Sequence, residues 1–132
     1  RSYYMRFDFE GLDTAVADKL MADLEAKLPT LNGKVYNGYT VSEAAPFVYN
    51  DPVDHSSTQN GLIVKFADGS RIVYRLSGTG SSGATLRVYL EKYEQNKLDE
   101  DPQKMLQPIL EIAMDIAEIT SRTGKQHADV IT

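Results

Sequence analysis

A chain of 132 residues, 42% hydrophobic and 25% charged, is the size of one domain and holds enough apolar material to bury a core of its own. It has no cysteine, which excludes a disulfide scaffold and a thiolate metal site, and its formal net charge of −5 argues against nucleic acid, a partner met by a basic face spread over many phosphates. No apolar run approaches the ~20 residues that a spanning helix needs, and the N-terminus lacks an apolar signal core, so a cytoplasmic protein with no membrane partner is expected.

Arg1-Ser2-Tyr3-Tyr4 does not resemble a natural translation start, which suggests a piece of a longer polypeptide. Aromatic and polar residues alternate from Tyr3 to Phe9. Beyond Gly11, Val16, Leu20, Leu24 and Leu28 form one stripe, Asp13 or Thr14 is placed to cap it, and Pro29 stops it, which predicts a helix over about 12–28. Its charged residues, Asp18, Lys19, Asp23, Glu25 and Lys27, read as a solvated face. Val35-Tyr36, Tyr39-Thr40-Val41 and, after Pro46, Phe47-Val48-Tyr49 read as short strands punctuated by Gly33 and Gly38. Asp51-Pro52-Val53-Asp54-His55 is turn chemistry; its two carboxylates and histidine are too close in a proline turn to converge readily on one ion, so no metal is assigned there.

Gly61 to Ala67, the pair Asp68-Gly69, and Arg71 to Leu76 form the clearest hairpin, because a D-G turn separates two β-rich runs. Parity puts Ile72, Tyr74 and Leu76 on one face and Arg71, Val73, Arg75 and Ser77 on the other. Thr85 to Tyr93 fits either a strand or a helical stripe through Leu86, Leu90 and Tyr93. Asp101 at N-cap and Pro102 at N1 open a last helix, closed by Gly124 after Arg122. Its wide face, including Met105, Ile109, Ile112, Ile116 and Ile119, is suited to lie on a sheet, with Pro108 removing one backbone bond near its start. His127 reads as an isolated surface group.

Between Arg75 and Arg87 stand Gly78, Gly80 and Gly83 with the hydroxyls of Ser77, Thr79, Ser81 and Ser82. Glycine allows backbone N–H groups to approach a ligand, hydroxyls add donors, and guanidinium forks match phosphate oxygens bidentately. A Gly/Ser linker is the plain alternative, but a linker gains nothing from bracketing arginines. The glycines satisfy G-x-G-x-x-G, and Gly78 to Thr85 has the Walker A spacing with Ala84 where the lysine belongs, so the Walker reading fails on chemistry. A dinucleotide site would need a helix after the glycines, which periodicity alone leaves open. If the segment from Thr85 returns as an antiparallel strand, Arg87 comes back beside the loop. Arg75 and Arg87 then flank a ring of N–H groups, both side chains in a solvated cleft.

Arg75-x-Ser77-Gly78-Thr79-Gly80-Ser81-x-Gly83-Ala84-Thr85-x-Arg87-x-Tyr89, preceded by Asp68-Gly69-Ser70-Arg71, resembles the phosphate-binding loop in the C-terminal domain of phosphoglucomutases, members of the α-D-phosphohexomutase superfamily. The resemblance extends through Asp51-Pro52-Val53-Asp54, Gln59-Asn60-Gly61-Leu62, Asp101-Pro102-Gln103, Arg122-Thr123-Gly124 and Val130-Ile131-Thr132. The wider superfamily typically has Arg-x-Ser-x-Thr-Glu-Pro, and Gly80-Ser81 in place of Glu-Pro points to the glucose-specific branch.

That resemblance implies residues 1–132 as one C-terminal, phosphate-binding domain. Its implied fold is α+β: an antiparallel sheet with helices packed on one side, related to the TATA-binding-protein architecture but with no DNA-binding implication. It implies that Arg75, Ser77, Gly78, Thr79, Gly80 and Arg87 hold the phosphate that is not being transferred between glucose 1-phosphate and glucose 6-phosphate. The family's phosphoserine, Mg²⁺-binding and sugar-recognition motifs are absent from these residues, so Mg²⁺ and glucose 1,6-bisphosphate would serve a full-length enzyme through its other, N-terminal domains. This stretch alone would then be inactive. A phosphosugar-binding or scaffolding protein without turnover, and nucleotide binding through the glycines, are the competing readings.

Overall fold

The computed structural model describes residues 2–50, 58–80, 83–96 and 99–132, the backbone alone at 49–50, 58–60 and 79–80. Seven strands form one antiparallel sheet in the order β2-β3-β4-β5-β6-β1-β7: β1 Ser2–Leu12, β2 Val35–Tyr36, β3 Tyr39–Asn50, β4 Thr58–Phe66, β5 Arg71–Gly80, β6 Gly83–Tyr93 and β7 Val130–Ile131. Helices α1 (Thr14–Lys27), α2 (Pro102–Ala117) and α3 (Ile119–Thr123) complete the α+β architecture. α1 and α2 pack on one face of the sheet.

Alternation explains why that face is covered. Tyr3, Phe7 and Phe9 on β1, Ile72 and Tyr74 on β5, and Ala84, Leu86, Val88 and Leu90 on β6 are buried. They meet Leu20 and Leu24 of α1 and Leu106, Ile109, Ile112 and Ile116 of α2 in a single core. The Tyr74 hydroxyl donates to the Ala113 carbonyl oxygen of α2 at 2.6 Å, giving the one buried phenol of β5 a partner across the layers. Burial pushes its pKa up.

The expected first helix is α1, with Asp13 accepting from the Ala15 and Val16 N–H groups as N-cap and a 3₁₀ turn at Leu28–Thr30 carrying Pro29. The expected hairpin is β4–β5, its turn closed by Gly69 at φ 92° and by Asp68 accepting from the Ser70 N–H. The segment after the glycines is a strand, β6, which removes the helix that a dinucleotide fingerprint requires.

Two expectations differ. The short strands before and after Pro46 are one strand, β3, because β2 reaches only Thr40 and leaves the rest of β3 at the sheet edge, where proline costs no ladder bond. The last helix runs through Pro108 but breaks at Glu118, which adopts a left-handed conformation at φ 56°. Lys27 of α1 holds that break, donating to the Ile116 carbonyl at 2.7 Å and to Glu118 Oε2 at 2.9 Å, while Arg122 of α3 reaches Asp23 at 2.7 Å. The C-terminal residues turn back as β7 beside β1, with Asp129 Oδ2 accepting from the Glu10 N–H. His127 is exposed, as its sequence context indicates.

Candidate functional site

The face opposite the helices presents Arg71, Val73, Arg75 and Ser77 from β5 and Thr85, Arg87, Tyr89 and Glu91 from β6. Register pairs Arg75 directly with Arg87 and Ser77 with Thr85. Two like charges opposite one another in an antiparallel pair destabilise a sheet unless something negative lies near. Arg75 has its Cζ 5.9 Å from the centre of the Tyr89 ring, over a π face. Arg87 has Asp8 of β1, its cross-strand partner on the other side, with Nε to Oδ2 at 4.0 Å.

The hairpin end of the sheet is built from two bulges. On β5, Gly78 and Thr79 stand opposite the single residue Ala84, with Gly78 at φ 70°. On β1, Glu10 and Gly11 stand opposite Thr85, with Gly11 at φ 64°. Both strands flank β6, so its first residues lie between two kinked neighbours. A bulge takes a residue out of the ladder and re-aims what surrounds it, a device common beside binding sites. Here it turns backbone at Gly78 and Thr79 out of strand pairing, close to the two arginines.

Gly83 has a different role from the one its place in the loop suggests. A methyl group there would lie 2.8 Å from the Leu12 carbonyl oxygen, and its φ is 93°, so this glycine lets β6 start against the end of β1. Gly61 is a second close approach. A methyl group there would meet the Phe47 ring at 2.5 Å and the Arg75 Cγ at 3.3 Å, so the bare glycine on β4 leaves room for the stem of Arg75.

Of the six residues assigned from sequence, Arg75, Ser77 and Arg87 have described side chains on this face, Gly78 forms the bulge, and Thr79 and Gly80 are placed by backbone alone. Ser81 and Ser82 lie outside the described residues, as does the Asp51 to His55 turn. Down the face from the loop, a cleft of about 570 Å³ is lined by Arg75, Arg71, Tyr4, Tyr89, Phe47 and neighbouring side chains. Its far end is ion-paired within itself, Arg71 to Glu91 at 2.9 Å and Lys65 to Glu43 at 3.7 Å. Burial and the neighbouring Tyr89 hydroxyl push the Tyr4 phenol up, so it stays protonated at neutral pH.

Sequence reasoning missed Asp8 and Arg6. The Asp8 side chain is only 4% exposed, and its Oδ1 lies 3.0 Å from Arg6 Nε. The signal was parity: with Phe7 and Phe9 turned into the core, Asp8 had to share the arginine face. Parity expects Arg87 in a solvated cleft; 39% of its side chain is exposed, and its Nε is buried 4.0 Å from the Asp8 carboxylate. Among the described residues no three Asp, Glu or His side chains converge as a cation site.

Fold and site together define an α+β domain whose antiparallel sheet carries a cross-strand arginine pair at the foot of a glycine-bulged hairpin. The family model described as "Phosphoglucomutase-1, C-terminal domain" matches residues 1–129, and the chain belongs to that family. It is 45% identical over 141 residues to phosphoglucomutase-1 of Oryctolagus cuniculus and 44% identical over 138 residues to the phosphoglucomutase of Schizosaccharomyces pombe. Each match covers all of this chain and 25% of the relative, so the chain spans a quarter of the length of these curated relatives. Among solved structures it is similar to the open form of the exocytosis-sensitive phosphoprotein pp63/parafusin, a phosphoglucomutase from Paramecium. The TM-score is 0.78 at 38% identity, over all of this chain and 23% of that one.

Proposed function

We propose that this chain is the C-terminal domain of a longer phosphoglucomutase that interconverts glucose 1-phosphate and glucose 6-phosphate. Its task is to hold the phosphate that is not being transferred. Arg75 and Arg87 supply the charge, Ser77 and Thr79 hydroxyl donors, and the backbone of Gly78 and Gly80 the N–H groups. The observation that carries this reading is the direct register pairing of Arg75 with Arg87 beside a bulge that releases backbone from the ladder. Two guanidinium forks borne on directly paired positions of adjacent strands suit one tetrahedral dianion.

Gripping the far phosphate positions the opposite sugar hydroxyl for phosphoryl transfer elsewhere in the protein, a contribution of orientation. The glucose 1,6-bisphosphate intermediate turns end over end between two transfers, so a cup that reads phosphate alone serves both orientations. The phosphoserine and the Mg²⁺ ligands belong to other domains of the parent chain, which we read as cytoplasmic. The family resemblance across the whole chain favours this over the reading as a phosphosugar-binding scaffold without turnover.

A phosphate titration of the 132-residue chain tests the reading. Inorganic phosphate, sulfate and glucose 6-phosphate should bind alike and weakly, on the order of millimolar, and shift the Ser77 to Gly80 amides. Still amides there, or an adenine nucleotide that outcompetes phosphate, would overturn it.

A further inference from the structure

We propose that Asp8 is a positioning residue for phosphate capture: its buried charge attracts the Nε edge of the Arg87 guanidinium and so turns the Nη end to the ligand. The inference rests on the reading of Arg87 as a phosphate ligand and adds the residue that sets its orientation.

Asp8 sits at the centre of β1, a strand paired on both sides, with Arg87 opposite it on β6 and Val130 opposite it on β7. Its carboxylate is almost wholly removed from water, Oδ1 facing Arg6 Nε at 3.0 Å and Oδ2 facing Arg87 Nε at 4.0 Å. A buried carboxylate persists only beside compensating charge, and these two arginines supply it. The Nε atoms of both arginines are out of contact with solvent and make no hydrogen bond, so their attraction to Asp8 is coulombic, while 39% of the Arg87 side chain remains exposed. The shielded edge therefore faces Asp8, and the two Nη nitrogens are the part left to meet a ligand. A guanidinium is planar, so a pull on one edge carries to the other two donors.

Two effects of Asp8 oppose each other. Its negative charge repels a bound phosphate, and its attraction for Nε saves part of the ordering of a long side chain on binding. The charge is the weaker effect, because Arg6 neutralises it at 3.0 Å whereas a phosphate at the Nη end lies beyond the width of the guanidinium. Orientation is paid in advance, which lowers the cost of capture.

The test is a double-mutant cycle read by phosphate titration of the 132-residue chain, with Asp8→Asn, Arg87→Ala and the pair. Asp8→Asn should weaken inorganic phosphate about threefold to tenfold, in the range of coupling between contacting groups, and should have no further effect once Arg87 is alanine. An Asp8→Asn variant that binds phosphate more tightly, or that loses the same factor in the Arg87→Ala background, would overturn the positioning role. If Arg87→Ala leaves affinity unchanged, the phosphate-cup reading itself fails and takes this one with it. The Arg87 Hε resonance of the unmutated chain gives a measurement independent of any variant's folding. A rigid Nε–Hε vector before phosphate is added, read by relaxation of that resonance, supports the positioning, and one as mobile as that of a free arginine sinks it.

Discussion

On β5 and β6, Ile72, Tyr74, Leu86, Val88 and Leu90 are sealed beneath helices, while the intervening Arg71, Arg75, Arg87 and Glu91 stand on a face that no helix of the described residues covers. The same backbone positions both sets, and only the pleat separates them. On the sealed face energy comes from apolar area removed from water. On the open face charges lie close together: Arg75 has a tyrosine ring beside it and Arg87 a buried carboxylate. The sealed face thus decides whether the domain exists, and the open face decides what it can hold.

The strongest way to break that division is to damage the sealed face alone. Phe7→Ala should cost about 3 to 5 kcal/mol of stability in a denaturant melt. At low temperature, where the variant still folds, its phosphate affinity should equal that of the unmutated chain. Loss of binding without loss of stability would show that the two faces are not separable.

Next in size are the arginines themselves. In the proposed parent enzyme, Arg75→Ala or Arg87→Ala should each lower kcat/KM by about 2 to 4 kcal/mol, roughly 30- to 1000-fold, with lysine a poor substitute for the bidentate fork. The pair sharpens the comparison through stability. Arg75→Ala should lower the melting temperature less than Arg87→Ala, which leaves Asp8 buried with Arg6 alone. Normal kcat/KM with a lowered melting temperature in both would make them structural partners only.

Gly83 crosses the division. Gly83→Ala combines a φ of 93° with a contact of 2.8 Å to the Leu12 carbonyl, and should destabilise the fold by about 1 to 3 kcal/mol. Measured beside the glycine-to-alanine change at Gly78, where added bulk meets only ordinary contact, it separates a packing glycine from one that shapes the loop.

The smallest effect is on pH. Arg122 beside Asp23 and Lys27 beside Glu118 hold both carboxyls below the ordinary carboxylate range. Depressed folded-state values mean that their stabilisation is full above the unfolded-state pKa, near pH 4, and is lost as pH falls through the lower folded values. Both groups are exposed, so a melt from pH 5 to pH 2 should show only a slight excess loss over an Arg122→Gln variant.

Local chemistry alone was enough for several elements. Asp13 caps α1, the Asp68-Gly69 pair turns β4 into β5, and Asp101-Pro102 opens α2, because caps and tight turns are satisfied by residues within a few positions of one another. Parity likewise put Arg75 and Ser77 on one face and Ile72 and Tyr74 on the other. Strand or helix after Gly83 was undecided by periodicity, and pairing with β1 and β5 decided it. Long-range contacts decided the rest. Pro46 lies within a strand because that strand is at an edge. Glu118 breaks a helix at a lysine 91 positions away in sequence. Gly83 is needed by the carbonyl of Leu12. Asp8, an ordinary polar residue in the alternation of β1, becomes a buried carboxylate beside Arg87 only when β6 is laid against it, since burial and charge pairing are properties of what the folded chain brings near.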